Sequence, residues 1–105
     1  LRYEVLDKGD ADLSILFTTD AQLFVSDDYT ILEDDMGVLP AGNVIFVSDE
    51  ATAEEAGPDY QATIETVQEG LSLEVMQELN ARVDIDKEKP EEVATQYLQE
   101  SGYIE

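Results

Sequence analysis

The chain has 105 residues, enough for one domain with one modest core, which buries roughly 60–68% of its unfolded surface. Five Lys and Arg face 26 Asp and Glu, a formal net charge of −21, so phosphate backbones and anionic membranes are repelled and direct nucleic-acid binding is excluded. Cysteine, histidine and tryptophan are absent, which removes disulfides, thiolate chemistry, cysteine–zinc sites and the Ser–His–Asp and Cys–His catalytic sets for this chain taken alone.

The opening Leu1-Arg2-Tyr3-Glu4 lacks an initiator methionine, a basic start and an apolar h-region, and reads as the beginning of a piece excised from a longer polypeptide. Residues 2–8 carry Tyr3, Val5 and Leu6 among charges, and Gly9 follows; this predicts a helix stopped by a C′ glycine. Leu13 to Phe17 is an apolar run and predicts a short buried strand. It ends at Thr18-Thr19-Asp20. Asp20 is expected to cap a short helix over residues 21–25, its carboxylate accepting free amides of the first turn. A strand ending at a hydroxyl-rich turn before a helix is where open α/β sheets place ligands.

Tyr29-Thr30-Ile31-Leu32 predicts a second strand by its β-branched and aromatic character. Glu33 to Gly37 reads as an acidic turn and Val38 to Gly42 as a loop, with Pro40 barring a central ladder position. Asn43 to Val47 predicts the third strand. Beyond Ser48 the pattern becomes helical. Asp49 or Ser48 caps a turn through Ala56, which Gly57-Pro58 breaks. Tyr60, Ile64, Val67 and Leu71 form one helical stripe, closed at Gly70. Ser72 caps a helix bearing Leu73, Val75, Met76, Leu79 and Val83. Asp84 to Lys89 is a charged linker. Pro90 suits a first helical position, with Glu91 and Glu92 at the positive helix end; Gly102 ends that helix. No internal repeat or low-complexity segment is visible.

No pattern for bond-breaking chemistry stands out. Asp84, Asp86 and Glu88 alternate like the start of a calcium loop, but Pro90 follows where the glycine and later glutamate belong. Glu33, Asp34 and Asp35 are three adjacent carboxylates in an exposed turn, so no metal and no other cofactor is expected. No catalytic residue is assigned. The acidity itself reads as a solvated surface suited to high salt, one that also concentrates cationic ligands.

Several strings together carry a resemblance. They are Gly9-Asp10-Ala11-Asp12, Phe17-Thr18-Thr19-Asp20, Ile31 to Gly37, Leu39-Pro40-Ala41, Met76-Gln77-Glu78-Leu79-Asn80, Val83-Asp84 and Pro90 to Ala94. In this order and spacing, from Tyr3 to Gly102, the chain resembles the C-terminal part of the glycine betaine/choline/carnitine substrate-binding proteins of ABC transporters. The resemblance implies an α/β fragment of a two-lobed, periplasmic-binding-protein-like (type II) fold, with about three strands followed by three helices. Residues 1–28 would be the end of one lobe and the hinge region, and residues 29–105 the C-terminal part of the other. It implies a binding role without enzymatic activity: the lobes close on a quaternary-ammonium compatible solute and pass it to a membrane permease. It also implies an extracytoplasmic location, held to the membrane by a lipid anchor or the permease.

The same resemblance supplies the candidate site. Aromatic rings enclose the trimethylammonium head, whose charge is attracted to their negative faces. Phe17 stands where the family commonly has tyrosine, keeping the ring face and losing the hydroxyl. Thr18, Thr19 and Asp20 match the family turn at the cleft. Gly42 stands where the family has a second aromatic, so that wall of the cage is missing. Asn43 is the neighbouring polar candidate. The alternative reading is a small acidic protein–protein interaction domain without a small-molecule ligand, and exposed apolar surface would let the isolated fragment form a homodimer.

Overall fold

The structure is a computed structural model and describes residues 1–40 and 42–105. Ala41, part of the expected loop, lies outside the described residues. Among the described residues six helices follow one another: α1 (Arg2–Asp7), α2 (Gln22–Val25), α3 (Glu50–Ala56), α4 (Asp59–Glu69), α5 (Leu73–Asp84) and α6 (Pro90–Glu100).

Their ends follow the local chemistry of the sequence. Gly9, at φ +70°, follows α1, because a left-handed residue after a helix costs glycine no Cβ clash. The Asp49 side chain accepts hydrogen bonds from the amides of Ala51 and Thr52 at the start of α3. Ser72 Oγ accepts from the amide of Val75 at the start of α5. Pro90 opens α6, where its missing N–H would have no partner anyway.

The three strands do not form. The α/β expectation of about three strands followed by three helices is overturned: the described residues hold helices and no strand. Leu13–Phe17, Tyr29–Leu32 and the segment 43–47 lack the ladder that defines a strand. Apolar and β-branched composition sets an extended preference, but a strand needs a partner backbone to take its N–H and C=O groups. The first two segments flank one groove without exchanging backbone hydrogen bonds. The third contributes the carbonyl of Val44 to Gln68 Nε2 at 3.3 Å. Consequently Leu13, Ile15 and Phe17 are 72%, 74% and 63% exposed, where burial was expected.

Asp20 also departs from its expected role. The residue capping α2 is Ala21, with no side-chain cap. The Asp20 carboxylate instead turns back, accepting from Tyr3 Oη at 3.0 Å and from the amide of Phe17 at 3.4 Å.

Helix α5 is the hub, packing on α2 and α6, while α3 packs on α4. Among the described residues the buried apolar ones are Ala21, Ala81 and Val93, on or beside α2, α5 and α6. The chain exposes 8565 Å², whereas a compact monomer of this mass exposes about 5,900 Å². Its radius of gyration is 17.4 Å, against roughly 13 Å for a compact chain of this length. The molecule is open, and most of its exposed large apolar side chains lie between Leu13 and Val47.

Candidate functional site

The turn Phe17–Asp20 joins an extended segment to α2 and is held from two sides. On one side Tyr3, on α1, donates its hydroxyl to Asp20 Oδ2, and its ring meets that of Tyr29 edge-on at 5.0 Å between centroids. Tyr29 in turn donates to Asp7 Oδ1 at 2.7 Å. Burial, then the bond to Asp20, push the Tyr3 phenol up to about 12, because both favour its neutral form. On the other side α5 presents two amides. Gln77 Nε2 donates to the carbonyl of Thr18 at 2.5 Å, and Asn80 Nδ2 to that of Thr19 at 2.8 Å. Positions 77, 80 and 81 share one helix face, so the two amide clamps and buried Ala81 approach the turn together.

Two depressions meet at this turn. The larger, about 740 Å³, is lined by Leu13–Thr18, Tyr29–Leu32, Asp34 and Leu39 among others. Asp34 shapes one end of it. Its carboxylate accepts from the amides of Leu39 at 2.6 Å and Val38 at 2.9 Å, and these bonds hold its pKa below the usual value. The smaller, about 330 Å³, is lined by Thr18, Thr19, Gly42, Asn43, Val44, Gln68 and Met76 among others. Thr18 belongs to both.

The six residues singled out in the sequence are therefore distributed as follows. Thr18, Thr19, Gly42 and Asn43 come together at the smaller depression, although more than twenty positions separate the two pairs. Phe17 faces the larger one with Thr18. Asp20 lines neither; it braces the turn through Tyr3 and the Phe17 amide. Nothing lies within 4 Å of a Cβ built on Gly42, so open space surrounds that position.

Residues that sequence reasoning left aside complete the picture. The guanidinium carbon of Arg2 stands 4.8 Å from the centroid of the Phe17 ring, a cation–π distance. Tyr3, Tyr29, Gln77 and Asn80 frame the turn. The signal for the α5 pair was a polar i, i+3 couple beside an apolar stripe. For Tyr3 and Tyr29 there was none, since tyrosines in a short helix and in an apolar stretch read as packing residues. Of the carboxylates weighed for calcium, Glu88 is committed elsewhere: its two oxygens accept from Arg82 Nε and Nη2, both at 2.9 Å. Arg82 Nη2 also donates to Gln96 Oε1, which ties the end of α5 to α6.

The exposed ring of Phe17 beside the hydroxyl-bearing turn at Thr18 and Thr19 suits a small cationic or zwitterionic ligand. Compared with known protein families, residues 1–100 match the model described as the substrate binding domain of the ABC-type glycine betaine transport system. No solved structure matches the chain. The family match does not favour the interaction-domain alternative.

Proposed function

Because the chain belongs to the family of substrate-binding domains of ABC-type glycine betaine transport systems, we propose that it binds a quaternary-ammonium compatible solute at the Phe17–Asp20 turn. The family's role is binding, with a small solute as ligand and an ABC permease as partner. The finer reading assigns glycine betaine, choline or carnitine as the solute class. The trimethylammonium head has no N–H to donate, so hydrogen-bond acceptors cannot select it. An aromatic face can, through the attraction of its quadrupole for positive charge. Phe17 supplies that face. Thr18, Thr19 and Asn43 supply donors for a solute carboxylate or hydroxyl, and Asp20 keeps the turn in shape.

The observation that carries this reading is the ring of Phe17, 63% exposed beside the turn and already attracting a guanidinium. The chain's charge of −21 adds a long-range field that gathers cations. Residues 1–28 are assigned to one lobe and its hinge, and residues 29–105 to the other. The solute shifts the equilibrium toward a closed state by binding it better than the open one. The amide clamps from Gln77 and Asn80 to Thr18 and Thr19 cross that division, so they are the route by which the turn senses closure. The site is assigned outside the cytoplasm, with a lipid anchor or the permease as the membrane link; among the described residues no helix is long and apolar enough to cross a membrane.

Isothermal titration of the full-length protein with glycine betaine, choline, carnitine and proline betaine tests this. Binding that weakens about 2- to 30-fold in Phe17→Ala, the range of a cation–π contact, is the expected result. A folded protein that takes up no quaternary amine, or binds equally well without the Phe17 ring, would overturn it.

A further inference from the structure

The chain's few cations are used in different ways. Among the described residues Lys8, Arg82 and Lys89 form ion pairs with Glu4, Glu88 and Glu92, and Lys87 donates to the carbonyl of Asp84. Arg2 does neither. With 26 carboxylates in the chain, its guanidinium lies over the Phe17 ring instead. The placement is built rather than incidental. Tyr3, the next residue, is fastened to Asp20, and Asp20 also holds the Phe17 amide. The start of α1 is thereby docked on the turn, and Arg2 is brought to the ring.

We propose that Arg2 is a tethered competitor for the quaternary-ammonium head: it occupies the cation seat on Phe17 in the unliganded protein and must leave before the solute binds. The proposal rests on the site reading given above. The proposal seats the trimethylammonium group on the ring face that the guanidinium covers; one face holds one cation, so the two exclude each other. A solute with further contacts, at Thr18, Thr19 and Asn43, then displaces Arg2 at lower concentration than a bare quaternary ammonium ion does. Small inorganic cations bring no such contacts and keep a full hydration shell, so they do not displace Arg2. The negative field draws every cation toward the surface, and a resident cation on the ring filters what stays.

The test compares the full-length wild type with Arg2→Gln, Lys8→Gln and Phe17→Leu, using tetramethylammonium chloride and glycine betaine as probes. Arg2→Gln and Lys8→Gln remove the same charge, one at the start of α1 and one just past its end, and only the first vacates the ring. Exposed cation–π contacts correspond to a factor of about two to five in affinity. Arg2→Gln is expected to bind both probes tighter by that factor and Lys8→Gln to bind as the wild type does. Arg2 side-chain resonances, shifted upfield by the ring in the free protein, should return to unshifted positions as tetramethylammonium is added. If binding needs Phe17 but the Arg2 signals do not move and Arg2→Gln binds no tighter, the site reading survives and the competitor role falls. If both probes bind equally well in Phe17→Leu, or fail to bind the folded wild type, both fall together.

Discussion

Asn80→Asp is the sharpest perturbation of the turn, because it changes one donor and leaves the shape of the side chain intact. Asn80 Nδ2 donates to the carbonyl of Thr19 at 2.8 Å in a partly buried setting. In the aspartate variant a carboxylate oxygen faces that carbonyl, acceptor against acceptor. A typical intramolecular hydrogen bond contributes about 1 kcal/mol net, and an acceptor left without a donor costs about 1–3 kcal/mol when water cannot reach it. Partial burial argues for the lower part of the second range, about 1–2 kcal/mol. If the turn must be held to bind solute, apparent affinity falls with the fraction of protein in which it is held. A loss of 1–2 kcal/mol then corresponds to at most about 5- to 30-fold weaker binding. Asn80→Ala should sit near the lower end, since it removes the donor without adding an opposing acceptor. Gln77→Ala should be milder still, its bond to Thr18 being exposed. Titration calorimetry with glycine betaine reads the affinity, and thermal unfolding reads the stability. If Asn80→Asp binds and melts as the wild type does, the amide clamp does not hold the turn and the reasoning fails.

Three further outcomes follow from the geometry. An added Cβ at Gly70 would lie 2.5 Å from Tyr97 Oη and 2.6 Å from Tyr103 Oη, and because both are the ends of half-buried side chains that can shift, Gly70→Ala should destabilise the protein by about 1 kcal/mol, the low end of overpacking. Combining it with Tyr97→Phe and Tyr103→Phe should restore much of the melting temperature; no rescue would refute the steric account. The Tyr3 phenol, raised from 10.0 to about 12, binds its proton more tightly folded than unfolded. Its contribution is complete below pH 10 and is lost as pH rises through about 12. Tyr29, bonded to Asp7, and Tyr97, partly desolvated, are also held above the usual phenol range, so absorbance titration should show a late phase that loses one phenolate in Tyr3→Phe. Finally, no Lys or Arg occurs from Gly9 to Ala81, and α3, α4 and α5 carry the exposed i, i+4 pairs Glu50/Glu54, Glu65/Glu69 and Glu74/Glu78. Such pairs cost a helix about 0.2–0.5 kcal/mol each. The screening length shortens from about 10 Å at 0.1 M salt to about 3 Å at 1 M. Helix content by circular dichroism should therefore rise with potassium chloride over that range; a flat response would refute the repulsion.

The helix boundaries were determined by the sequence alone. Asp49, Ser72, Pro90, Gly9 and Gly102 act on backbone groups within a turn of themselves, so their effects need nothing distant. The side chain of Asp20 was the exception. It had two local uses open to it, capping forward or bracing backward, and the hydroxyl of Tyr3, seventeen positions away, coincides with the second. The apolar stretches at 13–17, 29–32 and 43–47 were equally legible as extended segments, yet they are not strands. A helix closes its hydrogen bonds inside its own segment, whereas a strand borrows them from another. The candidate site follows the same division. The Thr18–Thr19–Asp20 turn was visible as hydroxyls and a carboxylate in a row. Only the tertiary structure brought Gly42 and Asn43 beside it, set Gln77 and Asn80 against its carbonyls and laid Arg2 on Phe17, because each of those contacts depends on where α1 and α5 pack and not on neighbours in the chain.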